Sequence, residues 1–166
     1  MHIIEQATER HTLSITVTNE PGVLARIAGM FSARGYNIES LTVADISPDD
    51  EVSRITIVTN GTPHVIEQIV AQLDRMVPVH RVADLTEGAH FERELALVRA
   101  SFADAQHDAA LALAEEYHAQ VIDAEAGSFV FEVTATSGKL DAFIDVLSAL
   151  GTVEVARSGI VAISRG

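Results

Sequence analysis

Cysteine and tryptophan are absent from this 166-residue chain, and proline occurs only four times. Without cysteine there is no disulfide framework, no thiolate nucleophile and no thiolate metal site, and the fold needs no oxidising compartment. Phe, Trp and Tyr together make up 5% of the residues, so stacking platforms for bases or sugars are scarce. Positive charge is also scarce: 11 Lys and Arg stand against 24 Asp and Glu, a formal charge of −13. The deficit is even, with 6 basic and 12 acidic residues in 1–90 and 5 and 12 in 91–166. There is no basic arm and no acidic tail. A phosphate backbone or an anionic lipid surface repels such a chain, so neither nucleic acid nor membrane is expected as a partner. No run approaches the roughly 18–20 apolar residues of a membrane span. Met1-His2-Ile3-Ile4-Glu5 lacks the basic-then-apolar plan of a signal peptide, which makes a cytoplasmic location the expectation. What is present is 48% apolar residues, a folding composition of a length that suits one or two domains.

Periodicity organises that apolar content. Leu13-Ser14-Ile15-Thr16-Val17-Thr18 alternates with period two, the mark of a half-buried strand. Asn19-Glu20-Pro21-Gly22 stops it, Pro21 suiting a first helical turn. Val23, Leu24, Ile27, Met30 and Phe31 then recur at helical spacing, and Gly35 is placed to end that helix in a left-handed conformation. Strands are predicted over 37–46 and 54–59, with a polar turn at 47–51 between them. Thr62-Pro63 opens a second helix with a buried stripe of Val65, Ile66, Ile69, Val70 and Leu73, and 77–85 reads as a fourth strand.

The order β-α-β-β-α-β then repeats. Glu94–Ala100 is predicted as a strand facing its core with Leu95 and Leu97. Asp104 and Ser137 are predicted helix caps, strands at 120–123 and 128–134 flank a turn at Glu125-Ala126-Gly127, and 153–156 and 160–164 close the set. The fold class is α+β: two ferredoxin-like domains, each a four-stranded antiparallel sheet with both helices on one face. The expected boundaries are 10–86 and 92–166, with a linker at 87–91. The helix-free face of the first sheet carries Ser14, Thr16, Thr18, Thr42 and Thr56, and is expected to meet solvent, another sheet or a second subunit.

No catalytic constellation is visible. The seven histidines fall in no metal-ligating spacing. Asp104, His107 and Asp108 gather at a helix start, where a solvated cap is the simpler account than a metal site. Glu115 and Glu116 are adjacent on a helix and face apart, and Ser128 and Ser158 beside glycines form no nucleophile elbow. No catalytic residue, no metal ligand and no cofactor of its own are therefore expected.

One place suits a ligand. A strand runs into a helix N-terminus at Asn19-Glu20-Pro21-Gly22-Val23-Leu24, where the N–H groups of Gly22, Val23 and Leu24 lack helical partners. They point outward with the positive end of the helix dipole, which favours a carboxylate. Gly22 lets a ligand approach the backbone. Asn37 and Ile38 open the next strand and are expected to reach the same edge, Asn37 offering both a donor and an acceptor. A small α-amino acid fits these groups. The same residue types serve an ordinary strand-to-helix turn, so both readings stand on the physics alone.

The residues Asn19-Glu20-Pro21-Gly22-Val23-Leu24-Ala25-Arg26 resemble the start of an ACT domain, an amino-acid-sensing regulatory module. With Phe31-Ser32-Ala33-Arg34-Gly35-Tyr36-Asn37-Ile38-Glu39-Ser40-Leu41, Ser53-Arg54-Ile55-Thr56-Ile57, Glu92-Arg93-Glu94-Leu95-Ala96-Leu97-Val98, Leu140-Asp141-Ala142-Phe143 and Val153-Glu154-Val155-Ala156-Arg157-Ser158-Gly159, the chain resembles the small regulatory subunit of acetolactate synthase (acetohydroxyacid synthase). The resemblance implies no chemistry in this chain. It implies a large catalytic partner, a thiamine-dependent transferase holding thiamine diphosphate, Mg²⁺ and FAD. That partner joins pyruvate to pyruvate or to 2-oxobutyrate on the route to valine, leucine and isoleucine, giving 2-acetolactate and CO2 from two pyruvates. This chain would raise the partner's activity and impose feedback inhibition, valine being the expected effector. It would work as a homodimer, with Asn19, Gly22 and Val23 of one chain and Asn37 and Ile38 of the other around the effector. A free-standing sensor of an amino acid or a metal is the alternative.

Overall fold

The computed structural model describes residues 7–166 apart from Pro48, Asp50 and Ala126. The expected turns at 47–51 and 125–127 therefore lie partly outside the described residues, and Met1–Gln6 lies wholly outside them. The chain forms two units: the described residues up to Phe91 together with Ile160–Gly166, and Glu92–Gly159.

The first unit is built from β1 (Glu9–Thr18), α1 (Val23–Ala33), β2 (Ser40–Ser47), β3 (Val52–Gly61), α2 (Pro63–Asp74) and β4 (Val79–Asp84), followed by a 3-10 turn at Leu85–Glu87. Its sheet runs β2-β3-β1-β4, and every neighbouring pair is antiparallel. Alternation in β1 sends Leu13, Ile15 and Val17 to the helix face, where they meet Ile55 and Ile57 of β3. Val23, Ile27 and Phe31 of α1 and Ile66, Ile69 and Leu73 of α2 close this core from above. Each of those large side chains removes about 1.5–3 kcal/mol worth of apolar surface from water. Thr62 caps α2 as its composition demands, its hydroxyl accepting the N–H of Val65, with Pro63 next.

The end of α1 is a Schellman motif. Tyr36 N–H donates to the Phe31 carbonyl (3.0 Å) and Gly35 N–H to that of Ser32 (3.1 Å), while Gly35 takes φ +69°. Phe31 and Tyr36 meet edge to face across the motif. This geometry delays the next strand. Asn37 and Ile38, expected inside β2, lie before it in the connection, and β2 starts at Ser40.

The helix-free face of this sheet is partly covered by the chain's own last residues. Val58 of β3 and Leu85 pack against Ile160 and Ala162. Ser40 Oγ accepts the Ile160 N–H (2.9 Å), Thr42 Oγ1 donates to the Ile160 carbonyl (2.8 Å), and Arg165 N–H donates to Ala89 (2.9 Å). The expected boundary gave residues 160–166 to the second domain. They end a strand of the second sheet and pack against the first, Ile160 and Ala162 being buried against Val58.

The second unit repeats the order: β5 (His90–Phe102), α3 (His107–Glu116), β6 (Gln120–Glu125), β7 (Ser128–Ala135), α4 (Ser137–Ser148) and β8 (Gly151–Ser164), in the sheet order β6-β7-β5-β8. β5 begins inside the expected linker. The two strands expected at 153–156 and 160–164 are one, continuous through Gly159 at φ +84°. The phase of β5 is opposite to that expected: Ala96, Val98 and Ala100 are buried, while Leu95 and Leu97 are 36% and 38% exposed. Small residues fit beneath the helices because Phe131 and Phe143, ring centroids 5.8 Å apart, occupy the space. Neither expected cap holds. Asp104 lies in a 3-10 turn ahead of α3, and Thr136 rather than Ser137 precedes α4.

Candidate functional site

The segment between β1 and α1 is a type II turn. Glu20 accepts the Val23 N–H at 3.4 Å, Pro21 sits at the second position, and Gly22 takes φ 87°, ψ −5° at the third. Pro21 thus precedes the helix rather than opening it. The left-handed Gly22 has nothing within 4 Å of where a Cβ would stand, so its outer face is open. Of the three amides expected to be free, that of Val23 spends itself weakly on Glu20. Among the described residues those of Gly22 and Leu24 have no partner. They stand at the positive end of α1, the arrangement that receives a carboxylate.

The flanking asparagines are both exposed. Asn19 is tied down through its backbone, its N–H donating to Glu51 at 2.6 Å. The Asn37 carbonyl accepts the Thr59 hydroxyl at 2.6 Å. Among the described residues neither side-chain amide has a partner. Val23 is 4% exposed and packs with Ile27 and Phe31, so only its backbone faces a ligand. Ile38 is half-buried against the same core. Leu24, expected on the apolar stripe of the helix and at the site through its amide, instead exposes its side chain by 41% beside the open amides.

Within one chain these groups form two sites, not one. β1 and β2 are both antiparallel to β3 and so run the same way. The eleven residues of α1 carry the chain back along them, about 16 Å at 1.5 Å per residue. Asn19, Gly22 and Val23 stand at one end of α1, and Asn37 and Ile38 beyond the other. The expectation that Asn37 reaches the same edge of its own chain fails for that reason. β2, which follows Asn37 and Ile38, is the outer strand of its sheet and exposes Val43 and Ile46, each by 46%.

The second unit holds a different kind of polar centre. Glu94, 6% exposed, accepts two hydrogen bonds from Arg157 (Nε to Oε1 2.9 Å, Nη2 to Oε2 2.7 Å) and one from Ser137 Oγ at 3.1 Å. Arg157 Nη1 reaches Asp141 at 2.5 Å. The bond to Glu94, with Asp141 adding to it against the cost of burial, raises the Arg157 guanidinium above its already high ordinary value. Every member of this cluster is satisfied, which suits a structural clamp. His107, at 3.8 Å from Asp104 and edge-on to Phe129, is equally local. Among the described residues no group of three or more His, Asp or Glu is placed to hold a metal ion, and no helix is long and apolar enough to cross a membrane.

Known proteins match this chain along nearly its whole length. Residues 13–81 match the family model described as "AHAS small subunit-like ACT domain", and residues 93–166 that described as "Small subunit of acetolactate synthase". The chain is 46% identical over 158 residues to the acetolactate synthase isozyme 3 small subunit of Escherichia coli, covering 95% of this chain and 96% of that one. It is 42% identical over 157 residues to a probable acetolactate synthase small subunit of Archaeoglobus fulgidus, covering 95% and 98%. The crystal structure of the Thermotoga maritima acetolactate synthase small subunit superposes with a TM-score of 0.83 at 34% identity, over 95% of this chain and 98% of that one.

Proposed function

The chain belongs to the family of acetolactate synthase small subunits, and on that footing we propose that it activates a large thiamine-dependent catalytic subunit and makes it sensitive to valine. Thiamine diphosphate, Mg²⁺ and FAD belong, in this reading, to the catalytic partner. That partner forms 2-acetolactate and CO2 from two pyruvates in the cytoplasm, on the route to the branched-chain amino acids.

The observation that carries the effector site is the separation of its two halves to opposite ends of α1, one of them leading into the outer strand β2. A second copy placed antiparallel along β2 reverses its own α1. The open amides of Gly22 and Leu24 then face the Asn37 of the other copy. The amides take the effector's carboxylate, and the side-chain oxygen of Asn37 accepts from its ammonium group. Leu24 and Ile38 supply apolar contact for a branched side chain. Exposed Val43 and Ile46 on an unpaired edge support pairing there, since an uncovered edge invites another strand. Regulation follows by linkage: valine favours one arrangement of the paired domains, the catalytic subunit favours the other, and the coupling is of the order of 1–3 kcal/mol.

The test is the acetolactate rate of the large subunit, with and without this chain, across a valine titration. Wild type is expected to raise the rate and then lose that gain as valine is added. Asn37→Ala is expected to keep the activation and to weaken valine binding by about 1.5–3 kcal/mol in calorimetry. Unchanged valine affinity in Asn37→Ala counts against the site, and an indifferent large subunit counts against the function.

A further inference from the structure

On the helix-free face of the first sheet, β1, β3 and β4 place two arginines in one row. Thr16 pairs with Arg54 on one side and with Arg81 on the other. Strand spacing sets their backbones about 10 Å apart, with only a threonine between. Like charges so placed repel unless something of opposite sign lies between them. In a chain with 24 Asp and Glu against 11 Lys and Arg, a carboxylate partner is the ordinary solution. Among the described residues neither arginine has one, and the Arg54 Nε is buried without any hydrogen-bond acceptor.

These arginines line a recess of about 280 Å³ together with Ser14, Thr16, Asp84 and Ser164. Asp84 does not neutralise them: its Oδ2 is held by His11 Nδ1 at 2.6 Å and its Oδ1 by the Thr86 N–H at 3.0 Å. The hydroxyls of Ser14, Thr16 and Ser164 add neutral donors. Ala162, Ile163 and Ser164 of the terminal segment border the recess, which limits access to something small.

We propose that this recess is a binding site for a compact dianion, a phosphate group or a small dicarboxylate, held between the guanidinium forks of Arg54 and Arg81. Two forks offer planar, paired donors to two or more oxygens of one ligand. The site is separate from the α1 terminus, and its existence does not depend on the effector reading.

Calorimetry on the full chain at pH 8 and fixed ionic strength tests it, with inorganic phosphate and malonate as probes and chloride as the control. The expected result is saturable binding of one phosphate or one malonate per chain; the probe that binds distinguishes the two sources of charge. Arg81→Gln, an exposed position, is expected to weaken that binding about tenfold or more while leaving any valine affinity unchanged. Arg54→Gln is the second variant, with its fold checked by circular dichroism. The proposal is overturned if neither probe binds beyond chloride, or if binding survives both substitutions.

Discussion

Replacing Gly22 by alanine separates what the turn needs from what a ligand needs. Gly22 has φ +87°, a conformation that costs a residue with a Cβ about 1–2 kcal/mol. The added methyl meets nothing within 4 Å, so strain in the backbone is the whole folding penalty. Gly127, at φ +85° in the turn before β7, is a matched control, because its added Cβ would make only ordinary contact, 3.6 Å from the Phe102 carbonyl. Urea denaturation is expected to give similar losses of about 1–2 kcal/mol for Gly22→Ala and Gly127→Ala. Valine calorimetry is expected to part them. The Gly22 methyl stands where a carboxylate must approach the amides, and each charge-assisted bond lost there is worth about 1.5–3 kcal/mol, so binding weakens at least tenfold. Gly127→Ala should bind valine as wild type does. Equal valine affinity in the two variants, at equal stability loss, refutes the assignment of the α1 terminus to the effector.

Two further substitutions test the second unit. Arg157→Ala leaves the buried Glu94 with Ser137 as its remaining donor; as the guanidinium side chain is 32% exposed, the expected loss is about 2–3 kcal/mol in urea denaturation, below that of a fully buried pair, and a loss under half a kcal/mol contradicts the clamp. Gly151→Ala would put a Cβ 2.1 Å from the Ser101 carbonyl, so it is expected to cost about 3 kcal/mol or more; a melting temperature within a degree of wild type contradicts this packing.

The first unit was largely legible because its patterns are clean. β1 alternates apolar with hydroxyl, so its inner face could not be mistaken, and Gly35 and Thr62-Pro63 punctuate the helices as their conformations require. β5 was not legible in the same way. Leu95-Ala96-Leu97-Val98 is apolar on both faces, so alternation gives no phase, and size alone points the leucines inward. The choice depends on Phe131 and Phe143, distant in sequence, which leave room for only alanine and valine beneath them. Thr136-Ser137 offered two residues able to cap, and the bond from Ser137 to Glu94 that distinguishes them is long-range. For the candidate site, the helix terminus was legible from Pro21-Gly22 and the pair of asparagines from their residue type. That they lie at opposite ends of α1 follows from strand direction, which local spacing does not encode. The Arg54–Thr16–Arg81 row had no local signal at all, since it exists only through the register of three strands.

The path of β8 has a consequence for anyone wishing to isolate the sensing half. Stopping the chain after residue 91 would strip Ile160 and Ala162 from Val58, leave Ser40 and Thr42 without their backbone partners, and take away one border of the arginine recess. The fragment would be born with a greasy wound in its sheet, prone to stick to its neighbours. A faithful miniature of this half would graft the last seven residues back on through a short tether.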